Sequence, residues 1–371
     1  MAEKVVKRRV VKKKEKKKRT KKQKLFRLFM FLLVVGGIVS FLLFFPSCGI
    51  LDTMTKGFST RYEFSSQYKA SSTFEMDGYI DNLNINWRDG DVKVYTHEEE
   101  HVSIVETPNE TITEKYMMHY NYQETDKYGH SLLVQYCKSG KWKFGNLKKD
   151  LVVYIPSRED LHLTIHTYNG DIDFNLGETK LSEIQIQSNH GSVDGVFSSA
   201  DKATMLGSNS KTVKDGYHFN IKQTGTVDDF RTSSCQKMDL NLNKINRLES
   251  GCVYNDLIIK VNEGNKLDIK NSSGNTYLYL IDVKNTSFKN ENIGKLFIYL
   301  LEDSNYQVSI TKKDVNSSEP HGIITNDVCE QIDELNYKIG SGDNKINITI
   351  GGNIDLIKNI IDIDVVEEIE E

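Results

Sequence analysis

The 371-residue chain carries 48 Lys plus Arg against 52 Asp plus Glu, a net −4, but residues 1–27 hold a surplus of +13 and the remainder −17. A body that acidic repels polyanions, which excludes nucleic-acid binding as its expected role. The five cysteines (Cys48, Cys137, Cys235, Cys252 and Cys329) include no C-x-x-C pair, so zinc-ribbon and thioredoxin-type sites are unsupported.

Residues 1–27 read as a basic cytoplasmic head. Leu28–Phe45 is a run of 18 residues without a charge, and Pro46–Leu51 extends it to spanning length, so residues 28–50 are expected to form a single transmembrane helix. Basic flanks stay in the cytoplasm, which places the amino terminus inside and the carboxyl-terminal domain outside the cell membrane. The apolar stretch exceeds that of export signals, favouring an uncleaved signal-anchor. Anionic lipid headgroups are the expected partner of the head, at about 1 kcal/mol per basic residue. Phe45-Pro46-Ser47-Cys48 matches a lipid-attachment site only in the small residue before the cysteine, so lipidation at Cys48 is left open.

Residues 51–80, polar with interspersed aromatics, read as a stalk. From there the apolar period is two: Leu83–Trp87, Val92–Thr96, Leu161–Ile165, Ile184–Ile186, Leu240–Leu242, Leu267–Ile269, Val308–Ile310 and Ile346–Ile350 all alternate as half-buried strands do. The class is all-β. Superimposed on it is glycine followed two places later by a β-branched aliphatic, as in Gly90-Asp-Val92, Gly170-Asp-Ile172, Gly191-Ser-Val193, Gly225-Thr-Val227, Gly251-Cys-Val253, Gly322-Ile-Ile324 and Gly352-Asn-Ile354, with a degenerate Gly274-Asn-Thr276. Corner glycines with inward aliphatics suit the stacked coils of a parallel β-solenoid. Ile172, Val193 and Val253 are then core, and Asp171, Ser192 and Asn353 are expected to face solvent. A β-sandwich is the alternative. Residues 116–155 fit hairpins better than coils: strands over 116–122, 132–137 and 151–155, with turns at Gly129 and Gly140, predict an antiparallel insertion. Cys235 and Cys252 are placed to meet across neighbouring repeats as a disulfide or to stay buried and unpaired.

The segments GDVKVYTHEEEHVSIVE, LVVYIPSREDLHLTIHTYNGDIDF and YKIGSGDNKINITIGGNIDL, in that order, resemble the adhesin-like β-repeat domain family of bacterial cell-envelope proteins, whose function is uncharacterised. The resemblance covers about residues 80–356. It implies a right-handed β-solenoid and an envelope location, and no reaction. The resulting domains are 1–27, 28–50, 51–80, a β-repeat domain over 81–356 and an acidic tail over 357–371.

His97-Glu98-Glu99-Glu100-His101 satisfies H-E-x-x-H, which binds zinc when a helix sets both histidines on one face. Here alternating strands flank it, so a turn is expected. Gly340-Ser-Gly342-Asp-Asn-Lys345 lacks the remaining glycine and the helix of a phosphate loop and also reads as a turn. Asp171, Asp173 and Asp194 lie near corners, where carbohydrate-cleaving solenoids gather acids, but solvated turn carboxylates are the simpler reading. No catalytic, cofactor-binding or metal-ligating residue is assigned. The expected role is a non-catalytic, membrane-anchored surface protein that binds an envelope polymer or a protein. An envelope-stress sensor or scaffold is the alternative, and a polysaccharide-active β-helix enzyme a distant third.

Overall fold

The computed structural model describes residues 68–127, 129–137, 147–207, 217–234, 237–252, 255–272, 274–290, 294–312 and 323–358. The basic head, the expected transmembrane helix and Cys48 lie outside the described residues. So do Cys235, Val253, Gly140, Gly322 and the side chain of Cys252, and with them the expected disulfide. Among the described residues no helix is long and apolar enough to cross a membrane.

Among the described residues the alternating segments build 24 strands. The opening block holds β1 (Lys69–Ala70), β2 (Thr73–Asp77), β3 (Asn82–Asp89), β4 (Val92–His97), β5 (His101–Pro108), β6 (His119–Thr125), β7 (Gly129–Gln135) and β8 (Lys149–Pro156), with one 3-10 turn at Glu114–Tyr116. Next come β9 (Leu161–Asn169), β10 (Ile172–Asn175), β11 (Lys180–His190), β12 (Val193–Phe197) and β13 (Ser199–Leu206). Four long strands follow, β14 (His218–Ser234), β15 (Lys237–Cys252), β16 (Leu257–Asn271) and β17 (Thr276–Asn290). The closing block is β18 (Leu296–Leu300), β19 (Tyr306–Lys312), β20 (Ile324–Asn326), β21 (Glu330–Gln331), β22 (Asn336–Ile339), β23 (Asn344–Ile350) and β24 (Ile354–Lys358).

Successive coils pair in parallel, which displaces the hairpin-connected sandwich. Each coil has two arms: β12 pairs with the first part of β14, Val193 against Phe219, and β13 with its second part, Ala200 against Val227. The first arms run β4, β10, β12, β14, β15, β16, β17, β18 and β24 in one continuous parallel ladder. The inward positions stack into columns. Val92, Ile172, Val193, Phe219, Met238, Leu257, Thr276, Leu296 and Ile354 are in register and buried. Ile172 and Val193 therefore occupy the expected core positions.

Antiparallel strands close both ends. β2 and β8 flank β5, and β6 pairs with β7 as the expected insertion. Three details differ from expectation: β7 also runs parallel to β3; β8, expected as the third strand of the insertion, runs parallel to β4 and antiparallel to β5; and Lys69–Ala70 and Thr73–Asp77, placed in the stalk, are strands paired with β6 and β5. Outward polar residues there satisfied the stalk pattern equally well. At the far end β22 pairs antiparallel with β19 and β21.

The glycine corners have two physical origins. Gly90 and Gly170 have φ of +116° and +136°, where a side chain is strained. A Cβ on Gly170 would also strike the Gly90 carbonyl, and one on Gly191 the Gly170 carbonyl. Gly274 and Gly294 repeat this further along, with Gly294 against the carbonyl of Gly274. Gly225 and Gly251 do not belong to this corner: Val227 lies in the second arm against Ile245, and Gly251 pairs inside a strand with Lys270. The residues after the corner glycines are not idle either. Asp150 accepts the N–H of Asp91, Asp91 that of Asp171, and Asp171 that of Ser192, at 3.0, 3.0 and 2.7 Å. Each carboxylate thus caps the next corner's backbone, and Ser192 is only 8% exposed. Asp171 is exposed as expected and caps the next corner as well, whereas Ser192 is a covered corner residue and not the solvent-facing spacer expected.

One buried ion pair ties the insertion to the first coil. Lys149 Nζ, wholly inaccessible, donates to Glu106 Oε2 at 2.7 Å, to the Tyr116 carbonyl at 2.8 Å and to the Tyr136 carbonyl, and lies 4.9 and 4.2 Å from the rings of Trp87 and Tyr136. Glu106 Oε1 accepts from the Met118 N–H at 2.9 Å and Ser72 Oγ at 3.0 Å. Burial, partly offset by Glu106, holds the Lys149 ammonium below its ordinary pKa. Nearby, burial pushes the Cys137 thiol up to about 11.

Candidate functional site

Side chains alternate across a strand, so a ladder that keeps its register repeats each outward position as a row with strand spacing of about 4.7–4.9 Å. On the first-arm sheet one such row is Lys93, Asp173, Asp194, Asn220, Asp239, Ile258, Tyr277 and Phe297. The next is Tyr95, Asn175, Val196, Lys222, Asn241, Lys260, Tyr279 and Tyr299. Where β12 presents the short Val196 outward, the face dips into an open groove of about 430 Å³ that reaches from Tyr95 to Lys260.

The groove holds both signs of charge. Tyr95 donates to Asp173 Oδ2 at 2.6 Å, and burial, reinforced by that carboxylate, pushes the phenol up to about 12. Asp194 accepts from Asn220 Nδ2 at 3.1 Å and faces His218 Nε2 at 3.2 Å. Among the described residues the side chains of Lys222, Asp239 and Lys260 make no hydrogen bond or ion pair; Lys260 Nζ lies 5.8 Å from the Tyr279 ring. Asn241 Oδ1 is covered and also lacks a hydrogen-bond partner.

Aromatic residues bound the groove at both ends. Tyr277 stacks on Phe297 and Tyr279 on Tyr299, with ring centroids 4.9 and 4.2 Å apart and planes within 5° and 4°. Burial, with Tyr299 beside it, pushes Tyr279 up to about 12. At the other end Tyr95 lies 5.8 Å from Tyr154, which is 44% exposed.

Of the three aspartates singled out from the sequence, the structure brings Asp173 and Asp194 side by side in this groove and sends Asp171 to the corner. His97 ends β4 and His101 begins β5, so H-E-x-x-H is a strand-to-strand turn. The His97 ring bonds the His101 carbonyl at 2.8 Å, and His101 faces Asp77 at 3.8 Å. Gly340 and Gly342, with φ of +60° and +75°, form the expected turn between β22 and β23. Among the described residues no three His, Cys, Asp or Glu side chains are grouped to hold a metal. The aromatic rows were missed. Their signal is present as TYLYL and LFIYL, whose outward aromatics recur after 20 residues, one coil.

Residues 80–357 match the family described as Toastrack DUF4097, the assignment that the adhesin-like resemblance anticipated. None of the curated proteins is a significant match. Solved structures with a related chain path include a protein provisionally assigned to cell adhesion from Clostridium sporogenes, 13% identical, covering 77% of this chain and 99% of that one at a TM-score of 0.23. Two others, provisionally assigned as adhesins, come from Bacteroides fragilis (10% identity, 80% and 100% coverage, TM-score 0.34) and Parabacteroides merdae (11%, 79% and 97%, 0.33).

Proposed function

Because this chain belongs to the Toastrack DUF4097 family, we propose that it is a non-catalytic binding module held at the outer side of a bacterial membrane, with the first-arm sheet as its contact surface. The observation that carries this reading is the in-register outward face, where donors, acceptors and aromatic rings form an open groove instead of an enclosed pocket. Open rows suit contact with an extended surface, whereas catalysis needs a nucleophile, acid or base held in a defined geometry. Anchoring is supported by the charge step between residues 1–27 and the uncharged stretch from Leu28 to Phe45. The coils are taken as right-handed, the sense that parallel crossovers adopt in roughly 98% of cases.

Protease added to intact cells should digest the chain beyond Asp52 and spare an epitope placed in the basic head. Protection of the β-repeat domain would overturn the topology. Binding of the detergent-solubilised full chain to isolated envelope fragments tests the contact role, and no retention on them would overturn it.

A further inference from the structure

We propose that the groove between Tyr95 and Tyr279 binds a linear neutral glycan lying along the solenoid axis, across the strands. This rests on the surface-binding reading above and names its ligand class. Lys222, Asp239 and Lys260 leave hydrogen-bonding capacity of both signs unspent in a groove that Asp194 and Asn220 also line. A sugar hydroxyl donates and accepts at once, so neighbouring hydroxyls satisfy a carboxylate on one strand and an ammonium or amide on the next.

The spacing favours a polymer. From Tyr95 the row passes through Asn175, Val196, Lys222, Asn241 and Lys260 to Tyr279, six strand steps or about 29 Å, so repeated hydroxyls meet repeated partners coil after coil. Tyrosines at both ends supply aromatic carbon for the apolar edges of a sugar, with the Tyr95 hydroxyl held in place by Asp173.

Competing ligand classes meet obstacles. A peptide adding as a strand needs a free edge, yet β10, β12, β14, β15 and β16 are each paired on both sides. A nucleic acid would bring phosphates against Asp173, Asp194 and Asp239.

The test titrates the full chain in detergent micelles with four linear hexasaccharides: β-1,4-linked glucose, β-1,4-linked N-acetylglucosamine, β-1,4-linked mannose and α-1,4-linked glucose. At least one should bind saturably. Asp239→Ala with Lys260→Ala should weaken it tenfold or more, and Lys244→Ala with Glu263→Ala, an ion pair in the separate groove at the bend between the two arms, should leave it unchanged. An unaltered urea midpoint confirms that each variant is folded. Binding of none of the four, or equal binding by the groove variant, overturns the proposal. Envelope fragments, intact and protease-treated, run beside these. Retention on intact fragments alone, with no hexasaccharide bound, means a protein ligand: the glycan proposal falls and the surface-binding reading stands. Retention on neither removes both.

Discussion

Lys149→Met isolates the energetics of the one buried cation described above. Its ammonium is inaccessible and held by Glu106 at 2.7 Å, by two backbone carbonyls and by two ring faces. Removing one member of such a pair strands the other charge in the interior, which costs about 3–5 kcal/mol. The two carbonyls that lose a charged donor place this case toward the upper end. That is a large share of a typical net stability of about 5–15 kcal/mol. Adding Glu106→Gln removes the stranded charge, while the amide oxygen still accepts from the Met118 N–H and Ser72 Oγ. The double variant should therefore be more stable than Lys149→Met alone, by about 2 kcal/mol, since replacing both charges of a buried pair is often nearly neutral. Equilibrium urea unfolding of the full chain in detergent, followed by far-ultraviolet circular dichroism, measures all three. A single variant within about 0.5 kcal/mol of the parent, or a double variant no better than the sum of the singles, would refute the reasoning.

Gly170→Ala should destabilise by about 1–3 kcal/mol or more in the same urea assay, because the methyl meets the Gly90 carbonyl and φ is +136°; an unchanged midpoint would show that the corners are not stacked so tightly. At the adjacent positions, Ile172→Ala should cost about 2–5 kcal/mol through the cavity it leaves, and Asp171→Ala about 1–2 kcal/mol through the unsatisfied Ser192 N–H. Equal effects would remove the distinction between core column and corner cap. In alkaline titration Tyr95 and Tyr279 should ionise near 12, so their share of stability is intact below pH 10 and lost between 10 and about 12. Asp173→Asn should bring the Tyr95 transition down while leaving that of Tyr279 in place, and two unmoved transitions would deny the Asp173 contact.

What the sequence disclosed follows from what alternation encodes. A period of two marks which side of a strand is buried, and Leu83, Val92, Leu163, Ile172 and Ile346 all lie inside. Alternation is silent about which strand pairs with which. That is why Gly225 and Gly251 matched the corner motif while sitting at the bend between the arms and in the second arm, and why Phe74 and Met76 of β2, partly buried against the core, were mistaken for stalk. Register is set by coil length, and the regular part of the solenoid repeats every 19 to 20 residues: Met238, Leu257, Thr276 and Leu296 occupy one column. Once that step is known, outward residues fall into rows without further information, Tyr277 above Phe297 and Tyr279 above Tyr299, with Asn241 beside Lys260. The groove was therefore legible in principle, but only to a search for repeated outward chemistry at the coil length. Motif spacing within one strand cannot find it, because its parts are contributed one or two at a time by separate coils. The same logic explains the corner aspartates. A side chain that caps the next coil has its partner at least a coil length away, 21 residues for Asp171 and Ser192, 19 for Asp256 and Asn275 and 80 for Asp91 and Asp171, so its role is invisible until the coils are stacked.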